Sequence, residues 1–230
     1  MPAAQEPTDR DQTDRDPAAG RPRRGLAEKR RSITRAARAV FARDGFTRAS
    51  VDAIAAEAGV SKRTIYNHFT DKEELFRSVL IESAGSVAAW HREMLGRHLD
   101  KITDLERDLT AFGLDWALPP REFADHFALV RQIHAEAGHL PPDVIEAWQE
   151  TGPRAAFRGL SHRLGELADE GLLDVDDPDL AARHFALLAV SDVSQKSLFG
   201  ALEMPESEVD SIVTTGVRTF LRLYGPGGAA

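Results

Sequence analysis

The 230-residue sequence contains no cysteine. This absence excludes disulfide frameworks, thiolate nucleophiles, cysteine-ligated zinc and iron–sulfur clusters, and it fits a reducing cytoplasm. Long apolar runs are also missing: FALLAV at 185–190 is much shorter than the roughly 18 to 20 residues that span a bilayer. The first sixteen residues, MPAAQEPTDRDQTDRD, lack the apolar segment of a signal peptide. We therefore expect a cytoplasmic protein with no membrane partner.

Apolar residues are nevertheless abundant enough for a folded core. Hydrophobic residues make up 42% of the chain and charged residues 29%, which suits one or two globular domains. Alternating apolar and polar runs of the strand type are missing, whereas helical spacing continues from Glu73 onward between breaks rich in glycine and proline. The pattern predicts an all-α protein of about nine helices.

Charge is distributed unevenly along the chain. Residues 1–80 contain 16 Lys and Arg against 12 Asp and Glu, whereas residues 81–230 contain 13 against 25. Between Arg21 and Arg48 there are ten basic residues and only two acidic ones. A polyanion would be attracted to the N-terminal part and repelled by the rest, although the net charge of the whole chain is −8.

Two short helices separated by a glycine turn follow the basic segment. Ser50 is a good N-cap for the first of them, and Gly59-Val60 marks the break. Ser61 then caps a second helix, in which Ile65 and Phe69 have the i, i+4 spacing of an inward face. This arrangement is typical of a helix-turn-helix, whose second helix enters the major groove of DNA.

The outward positions of that second helix are polar, basic and aromatic. Lys62 and Arg63 are placed to reach base edges, and an arginine can make a bidentate contact to guanine. Thr64 and Tyr66 can donate hydroxyls to phosphates or pack on a thymine methyl, and His68 can contact the DNA backbone. Asn67 completes the outer face.

Lys72 lies in the first turn of the next helix, where a cation opposes the helix dipole. One interpretation is that a DNA phosphate binds beside it. The other is that the lysine belongs to a solvated charge cluster with Asp71 and Glu73. The sequence leaves both interpretations open.

The stretch from about Arg30 to Leu75 resembles the DNA-binding domain of the TetR family of bacterial transcriptional regulators, and its main part reads AARAVFARDGFTRASVDAIAAEAGVSKRTIYNHFTDKEELF. The resemblance covers about a fifth of the chain and matches the family pattern nearly throughout. It implies an all-α homodimer whose first three helices bind operator DNA. The positions that family members use for this contact correspond to Ser50, Lys62, Arg63, Thr64, Tyr66, His68 and Lys72, and we add Asn67, where the family varies.

The resemblance also suggests a division of the chain. We expect a disordered tail at 1–24, a helix-turn-helix domain at 25–75, a ligand-binding and dimerisation domain at 76–224, and a C-terminal tail at 225–230. In the family, the last two helices pair with those of a second copy. A stripe of small residues would permit close helix approach there, although ordinary packing within one chain would also explain it; the stripe comprises Ala181, Ala182, Ala186, Ala189, Ser191, Ser194 and Ser197.

The helices that enclose a ligand cavity in the resembled family correspond here to a segment rich in aromatic residues, between about Ala84 and Thr151. An aromatic lining would suit a hydrophobic or planar effector. The residues that we select as candidate ligand contacts are Trp90, His91, Phe112, Trp116, Phe127, His134 and Trp148.

No pattern in the sequence indicates catalysis, a cofactor or a metal. Glu136-x-x-His139 matches half of a di-iron motif, but no second copy follows. Phosphate-binding glycine loops, GxSxG elbows and HExxH motifs are missing. An enzymatic reading would gain support only if the protein turned over a metabolite.

We therefore predict a repressor that binds a palindromic operator as a homodimer and is released by an unidentified small molecule. The alternative is an architectural or cell-division DNA-binding factor of the same fold with no effector. Dispersed genomic binding sites would favour this alternative, whereas a few promoter palindromes would favour the regulator.

Overall fold

The computed structural model describes residues 21–227, and within this range it is built of helices without strands. Most of the predicted N-terminal tail and the last three residues lie outside the described range. The helices are α1 (Arg21–Arg48), α2 (Val51–Ala58), α3 (Lys62–Tyr66), α4 (Lys72–Leu99), α5 (Leu105–Ala117), α6 (Ala124–Glu136), α7 (Pro142–Thr151), α8 (Pro153–Asp169), α9 (Pro178–Phe185), α10 (Ser191–Lys196) and α11 (Glu206–Tyr224). The all-α prediction is confirmed.

The predicted number of helices is also confirmed for the described part of the chain. Only Gly152 separates α7 from α8, and a π-helical turn at Ala186–Val190 joins α9 to α10. When α7 with α8 and α9 with α10 are each counted as one helix, the eleven helices become nine. Short 3-10 turns at Arg121–Phe123 and Ala137–His139 flank α6.

The first helix begins earlier than we expected. It starts at Arg21, so residues 21–24 of the predicted disordered tail are helical. Pro22 is compatible with this start, because the first turn of a helix uses no internal bond from its N–H groups. The helix is interrupted at Gly45, whose φ of 77° and ψ of 173° suit glycine far better than any residue with a side chain.

Side-chain caps begin the helices that the sequence pattern marked. Ser50 accepts a hydrogen bond from the Ala53 amide at 3.1 Å, and Ser61 accepts one from the Thr64 amide at 3.1 Å. Asp71 accepts from the Glu74 amide at 2.8 Å, while the Glu74 carboxylate accepts from the Thr70 amide. These caps satisfy amides that a helix start leaves without internal partners.

Two apolar clusters form the interior. One joins α1, α2, α3 and the first half of α4 to Leu129, Val130 and Ile133 of α6 and to α7. The other joins the second half of α4 to α5, α8, α9 and α11. The boundary that we predicted between residues 75 and 76 falls inside α4, so α4 connects the reading helices to the rest of the molecule.

No helix in residues 21–227 is long and apolar enough to cross a membrane.

Candidate nucleic-acid interface and ligand cavity

The α3 helix is held from behind by two side chains that have almost no exposure. Ile65 and Phe69 lie in the N-terminal cluster, each 1% exposed. Burial of a side chain of this size contributes about 1.5–3 kcal/mol. Gly59 makes the turn before α3 in the left-handed conformation, with φ 63°. The turn and the two anchors together fix which side of this five-residue helix faces outward.

That outward side has the chemistry predicted for contact with DNA. Tyr66 is 47% exposed, and Asn67 and Arg63 are also exposed. The Arg63 guanidinium makes no hydrogen bond or ion pair with the rest of the described chain. Lys62 is also exposed, but its ammonium forms an ion pair with Asp52 at 3.0 Å. The hydrogen bond to Asp52 raises the pKa of Lys62.

Three further predicted residues contribute to the local structure of the motif. The Thr64 hydroxyl hydrogen bonds the Ser61 hydroxyl at 2.8 Å, and Ser50 caps α2. His68 is half-buried, and its carbonyl oxygen accepts a hydrogen bond from Arg30 at 3.0 Å. Their contacts with DNA remain predictions, and the structure places all three beside the exposed face.

Lys72 occupies a different environment from either that we considered. Its ammonium donates to the carbonyl oxygens of Phe46 at 2.9 Å and Ala49 at 3.2 Å, and it lies 4.4 Å from the centre of the Phe46 ring. The solvated cluster with Asp71 and Glu73 is therefore wrong. The lysine ties α4 to the end of α1, because orphan carbonyls at that end need donors. An added phosphate contact remains a prediction.

Arg30 is a residue that our sequence analysis did not single out. Its guanidinium lies 4.2 Å above the Phe69 ring and also donates to the His68 carbonyl. It therefore connects α1 to the C-terminal end of the reading helix. The only sequence signal was its membership of the basic segment between Arg21 and Arg48, which does not distinguish it from its neighbours.

A cavity of about 260 Å³ lies between α4, α5, α6, α7 and α10. Five of the seven predicted ligand contacts line it, namely His91, Trp116, Phe127, His134 and Trp148. Trp90 and Phe112 do not line it, which corrects our prediction for these two. Trp90 packs on Phe123 with ring centres 5.4 Å apart, and Phe112 packs on Phe185 at 5.5 Å, because their positions on α4 and α5 face the core.

Other lining residues escaped the sequence analysis. Phe199 stacks on His134 at 5.0 Å, from a loop after α10 whose backbone is held in a left-handed conformation. Ser194 and Ser197, which we assigned to a dimer stripe, also line the cavity. His126 closes one side, with its Nδ1 3.0 Å from the Ser83 hydroxyl. Only the fold brings these distant segments together.

His126, which is buried, and His91, which is half-buried, are neutral at physiological pH. Burial lowers the pKa of His91 to about 4, and the backbone of Val87 partly opposes this shift. Burial also lowers the pKa of His126 to about 4, assisted by the neighbouring His91 and Arg38. Both rings can therefore act as neutral donors and acceptors.

A carboxylate connects the cavity helix α6 to the DNA-binding part. Glu136 ends α6, and its Oε2 accepts hydrogen bonds from the amides of Phe46 at 2.8 Å and Thr47 at 3.1 Å. The break of α1 at Gly45 frees those two amides. A Cβ on Gly45 would lie 2.6 Å from Glu136 Oε1, so any larger residue would displace this carboxylate in addition to straining the backbone at φ 77°. Glu136 of the Glu136-x-x-His139 motif supplies this cap.

Four members of the predicted stripe of small residues pack inside the chain, although Ala186 and Ser191 also line a depression at the surface. Ala181, Ala182, Ala186 and Ala189 are buried within the chain itself, where α9 and the π-helical turn pack on α8 and α11. The large apolar side chains on the outer surface of α9 and the π-helical turn are Leu180, 40% exposed, and Leu187, 63% exposed. An open depression between this surface and α8 is lined by Phe157 and Leu187 with several arginines.

Comparison with known proteins identifies both parts of the chain. Residues 33–79 match the family described as bacterial regulatory proteins, tetR family, and residues 123–226 match the C-terminal domain of AefR-like transcriptional repressors. The repressor AcnR of Corynebacterium diphtheriae is 36% identical over 147 residues, which cover 55% of this chain and 77% of AcnR. The chain belongs to the TetR family. This TetR-family protein is thus a helix-turn-helix transcriptional regulator that binds DNA, and the family is not one of enzymes.

Solved structures of family members have the same fold. A TetR-family regulator from Mesorhizobium loti MAFF303099 superposes with a TM-score of 0.76 at 29% identity, covering 87% of this chain and 98% of that one. The flavonoid-responsive regulator FrrA superposes with a TM-score of 0.61 at 31% identity, with the same coverage. By contrast, the match to the activator FasR of Mycolicibacterium smegmatis, 35% identical, spans 37% of this chain and only 39% of FasR.

Proposed function

We propose that this TetR-family protein is a homodimeric repressor that acts in the cytoplasm on a palindromic operator and releases it when a small molecule fills the cavity. The observation that carries the proposal is the exposed face of α3. Arg63, Tyr66 and Asn67 face outward there, while Ile65 and Phe69 fix the helix from behind. Such a helix fits the major groove, in which base edges accept hydrogen bonds from arginine.

The C-terminal part of the chain supports repression rather than activation. That part matches AefR-like repressors, and AcnR is also named a repressor. FasR is named an activator, but its match covers much less of either chain. Repression needs only that the bound dimer occupies the operator.

The homodimer is supported by the outer surface of α8, α9 and α10. Leu180 of α9 and Leu187 of the π-helical turn are exposed apolar side chains. Phe157 of α8 and Leu187 line the surface depression described above. A second copy would cover this apolar surface by two-fold symmetry. Two α3 helices could then address half-sites about 34–36 Å apart.

The effector part of the proposal rests on the cavity and its neighbours. The name of FrrA records a response to flavonoids, which are planar and aromatic, as the side chains around this cavity are. Phe127, Val130 and His134 of α6 line the cavity, and Glu136 at the end of the same helix caps the break in α1. A ligand that shifts α6 would therefore move α1 and α3, by an amount limited by its differential affinity for the two conformers.

The test of the DNA-binding face is an Arg63→Ala variant. An operator is first selected from a random duplex library with the wild-type protein, and affinity is then measured by fluorescence anisotropy. Loss of a bidentate contact in each subunit should weaken specific binding by at least about tenfold, since each such contact contributes about 1–3 kcal/mol. Binding to unrelated duplex DNA should change much less.

The matched control is Arg107→Ala, which removes another highly exposed arginine, on α5. It should leave operator affinity unchanged. Equal operator affinity of the Arg63→Ala variant and the wild type would contradict the proposed reading face.

A further inference from the structure

The cavity between α4 and α7 offers no charge to a ligand. Among the described residues that line it there is no aspartate, glutamate, lysine or arginine. The histidines His91 and His126 are neutral there because burial lowers the pKa of each to about 4. A charged ligand would lose its hydration without gaining a counter-charge. The cavity therefore selects against ions.

Two buried polar atoms of the lining residues have no hydrogen-bond partner. They are Nε1 of Trp148, whose residue is 7% exposed, and Nε2 of His91. Buried polar groups are nearly always paired in folded proteins, so two such atoms at one cavity need an explanation. A ligand that supplies both partners would explain them.

The two atoms differ in the partners that they can accept. An indole N–H is only a donor, so Trp148 requires an acceptor. Neutral imidazole donates from one ring nitrogen and accepts at the other. A ligand hydroxyl both donates and accepts, so it can pair with His91 Nε2 in either tautomer.

The remaining walls are flat. Trp116 lies edge-on to His91 with ring centres 5.4 Å apart, and His134 and Phe199 stack with an interplanar angle of 18°. Aromatic rings in such arrangements accept further rings in offset or edge-to-face contact. The volume of about 260 Å³ suits a compact ligand, since ligand cavities usually occupy about 300–1,000 Å³.

We propose that the cavity binds a neutral, planar, hydroxylated aromatic ketone, whose hydroxyl forms a hydrogen bond with His91 Nε2 and whose carbonyl oxygen accepts from Trp148 Nε1. This inference rests on the proposed effector site and gives it a ligand class. It also assigns one polar group of the ligand to each of two helices, α4 and α7, so that a molecule with only one of these groups binds more weakly.

The experiment combines ligand changes with side-chain changes, using isothermal titration calorimetry on the full chain. The probes are 6-hydroxyflavone, flavone without the hydroxyl, 6-hydroxyflavan without the carbonyl, and the anionic flavone-6-carboxylate. We expect 6-hydroxyflavone to bind the wild-type protein about fivefold to tenfold more tightly than either probe that lacks one group, the effect of one neutral hydrogen bond. The carboxylate should bind most weakly.

The variants then assign each group to its partner. In His91→Phe the advantage of 6-hydroxyflavone over flavone should disappear, while its advantage over 6-hydroxyflavan remains. In Trp148→Phe the advantage of 6-hydroxyflavone over 6-hydroxyflavan should disappear, while its advantage over flavone remains. The nitrogen chemical shift of His91 Nε2 in the wild-type protein should change with 6-hydroxyflavone and not with flavone, a readout that does not depend on the variants folding.

Several outcomes would overturn the inference. These are no binding of 6-hydroxyflavone up to its solubility limit, tighter binding of the carboxylate, or equal preferences in the wild type and both variants. Operator release is measured separately by anisotropy with each probe. If the predicted preferences hold but no probe releases the operator, the ligand class stands and the proposed release mechanism fails. If another compound releases the operator while the preferences are absent, the proposed function stands and this ligand class is wrong.

Discussion

At the scale of single residues, the packing of α11 depends on the lack of a side chain at Gly216. A Cβ at this position would lie 2.1 Å from the carbonyl oxygen of Leu188 and 2.6 Å from the Cα of Ala189. Both atoms belong to backbone, which cannot rotate away as a side chain can. The buried glycine therefore sets the distance between α11 and the π-helical turn at Ala186–Val190.

We predict that Gly216→Ala lowers the free energy of unfolding by about 3 kcal/mol or more, at the upper end of the overpacking range. Urea denaturation followed by circular dichroism measures it. Gly85→Ala is the control, since a Cβ there meets only the Thr151 methyl at 3.9 Å and alanine favours a helix. The prediction is wrong if the two variants are equally stable.

The buried histidines predict a pH dependence of stability. Burial lowers the pKa of His91 and His126 from 6.5 to about 4, so between these values the unfolded chain binds protons that the folded chain does not. Stability is therefore complete above pH 6.5 and falls as the pH decreases towards 4. At pH 5 the lowered pKa of each histidine should reduce the free energy of unfolding by about 2 kcal/mol relative to pH 7.

Urea denaturation between pH 7 and pH 5 checks this dependence. His91→Phe should lose less stability over that range than the wild type, whereas His162→Phe, at an exposed position of α8, should lose as much as the wild type. Identical pH profiles for all three proteins would contradict the buried, neutral state of His91.

At the scale of helices, the end of α6 is the connection between the cavity and the DNA-binding part. Glu136 is the residue of α6 that accepts from two amides released at the Gly45 break, and Gln132 approaches the same bend. Lys72 holds the same bend from α4. The end of α1 is therefore held by charged groups from two helices whose other residues line the cavity.

We predict that Glu136→Ala weakens the coupling between ligand and operator as well as the fold. Loss of a carboxylate that caps two amides should cost about 1–3 kcal/mol of unfolding free energy. The ratio of the operator affinity with 6-hydroxyflavone to the affinity without it should rise towards one, as anisotropy would show. Asp125→Asn is the control, because this exposed carboxylate of α6 makes only a 3.9 Å contact with Arg38. An unchanged ratio in Glu136→Ala would remove α6 from the mechanism.

Local signals made most helices predictable from sequence. The caps at Ser50, Ser61 and Asp71 and the prolines at 142 and 178 mark helix starts without any tertiary information. The break between α4 and α5 was missed, although Asp104 caps α5 by accepting from the Arg107 amide. The π-helical turn after Phe185 had no local signal, because the approach of α11 at Gly216 lies far away in sequence.

The DNA-binding face of α3 could be predicted from the sequence alone more completely than the cavity. The reading face is a local feature, since five consecutive residues of α3 and one turn place it. The cavity is assembled from helices more than 100 residues apart, so the sequence supplied the right residue types but could not separate Trp116, which lines the cavity, from Phe112, which faces the core. Phe199 reaches His134 only through the loop that follows α10.

At the scale of the whole molecule, specificity requires two reading helices held at a fixed spacing. A five-residue helix contacts few base pairs, so one copy alone would discriminate poorly between sequences. The surface that would join two copies includes Leu187, an apolar side chain 63% exposed in the single chain. If two copies pair through this surface, only the dimer can recognise both half-sites of an operator.

The most direct measurement of paired reading is operator affinity as a function of half-site spacing, for the wild-type protein and for Leu187→Asp. The account predicts that five additional base pairs, about half a helical turn, weaken wild-type binding by at least about a hundredfold, and that ten restore part of it, because the two α3 helices are fixed relative to each other. Leu187→Asp should be a monomer by light scattering, with weak affinity that does not depend on spacing. Wild-type affinity that is independent of spacing would contradict the account.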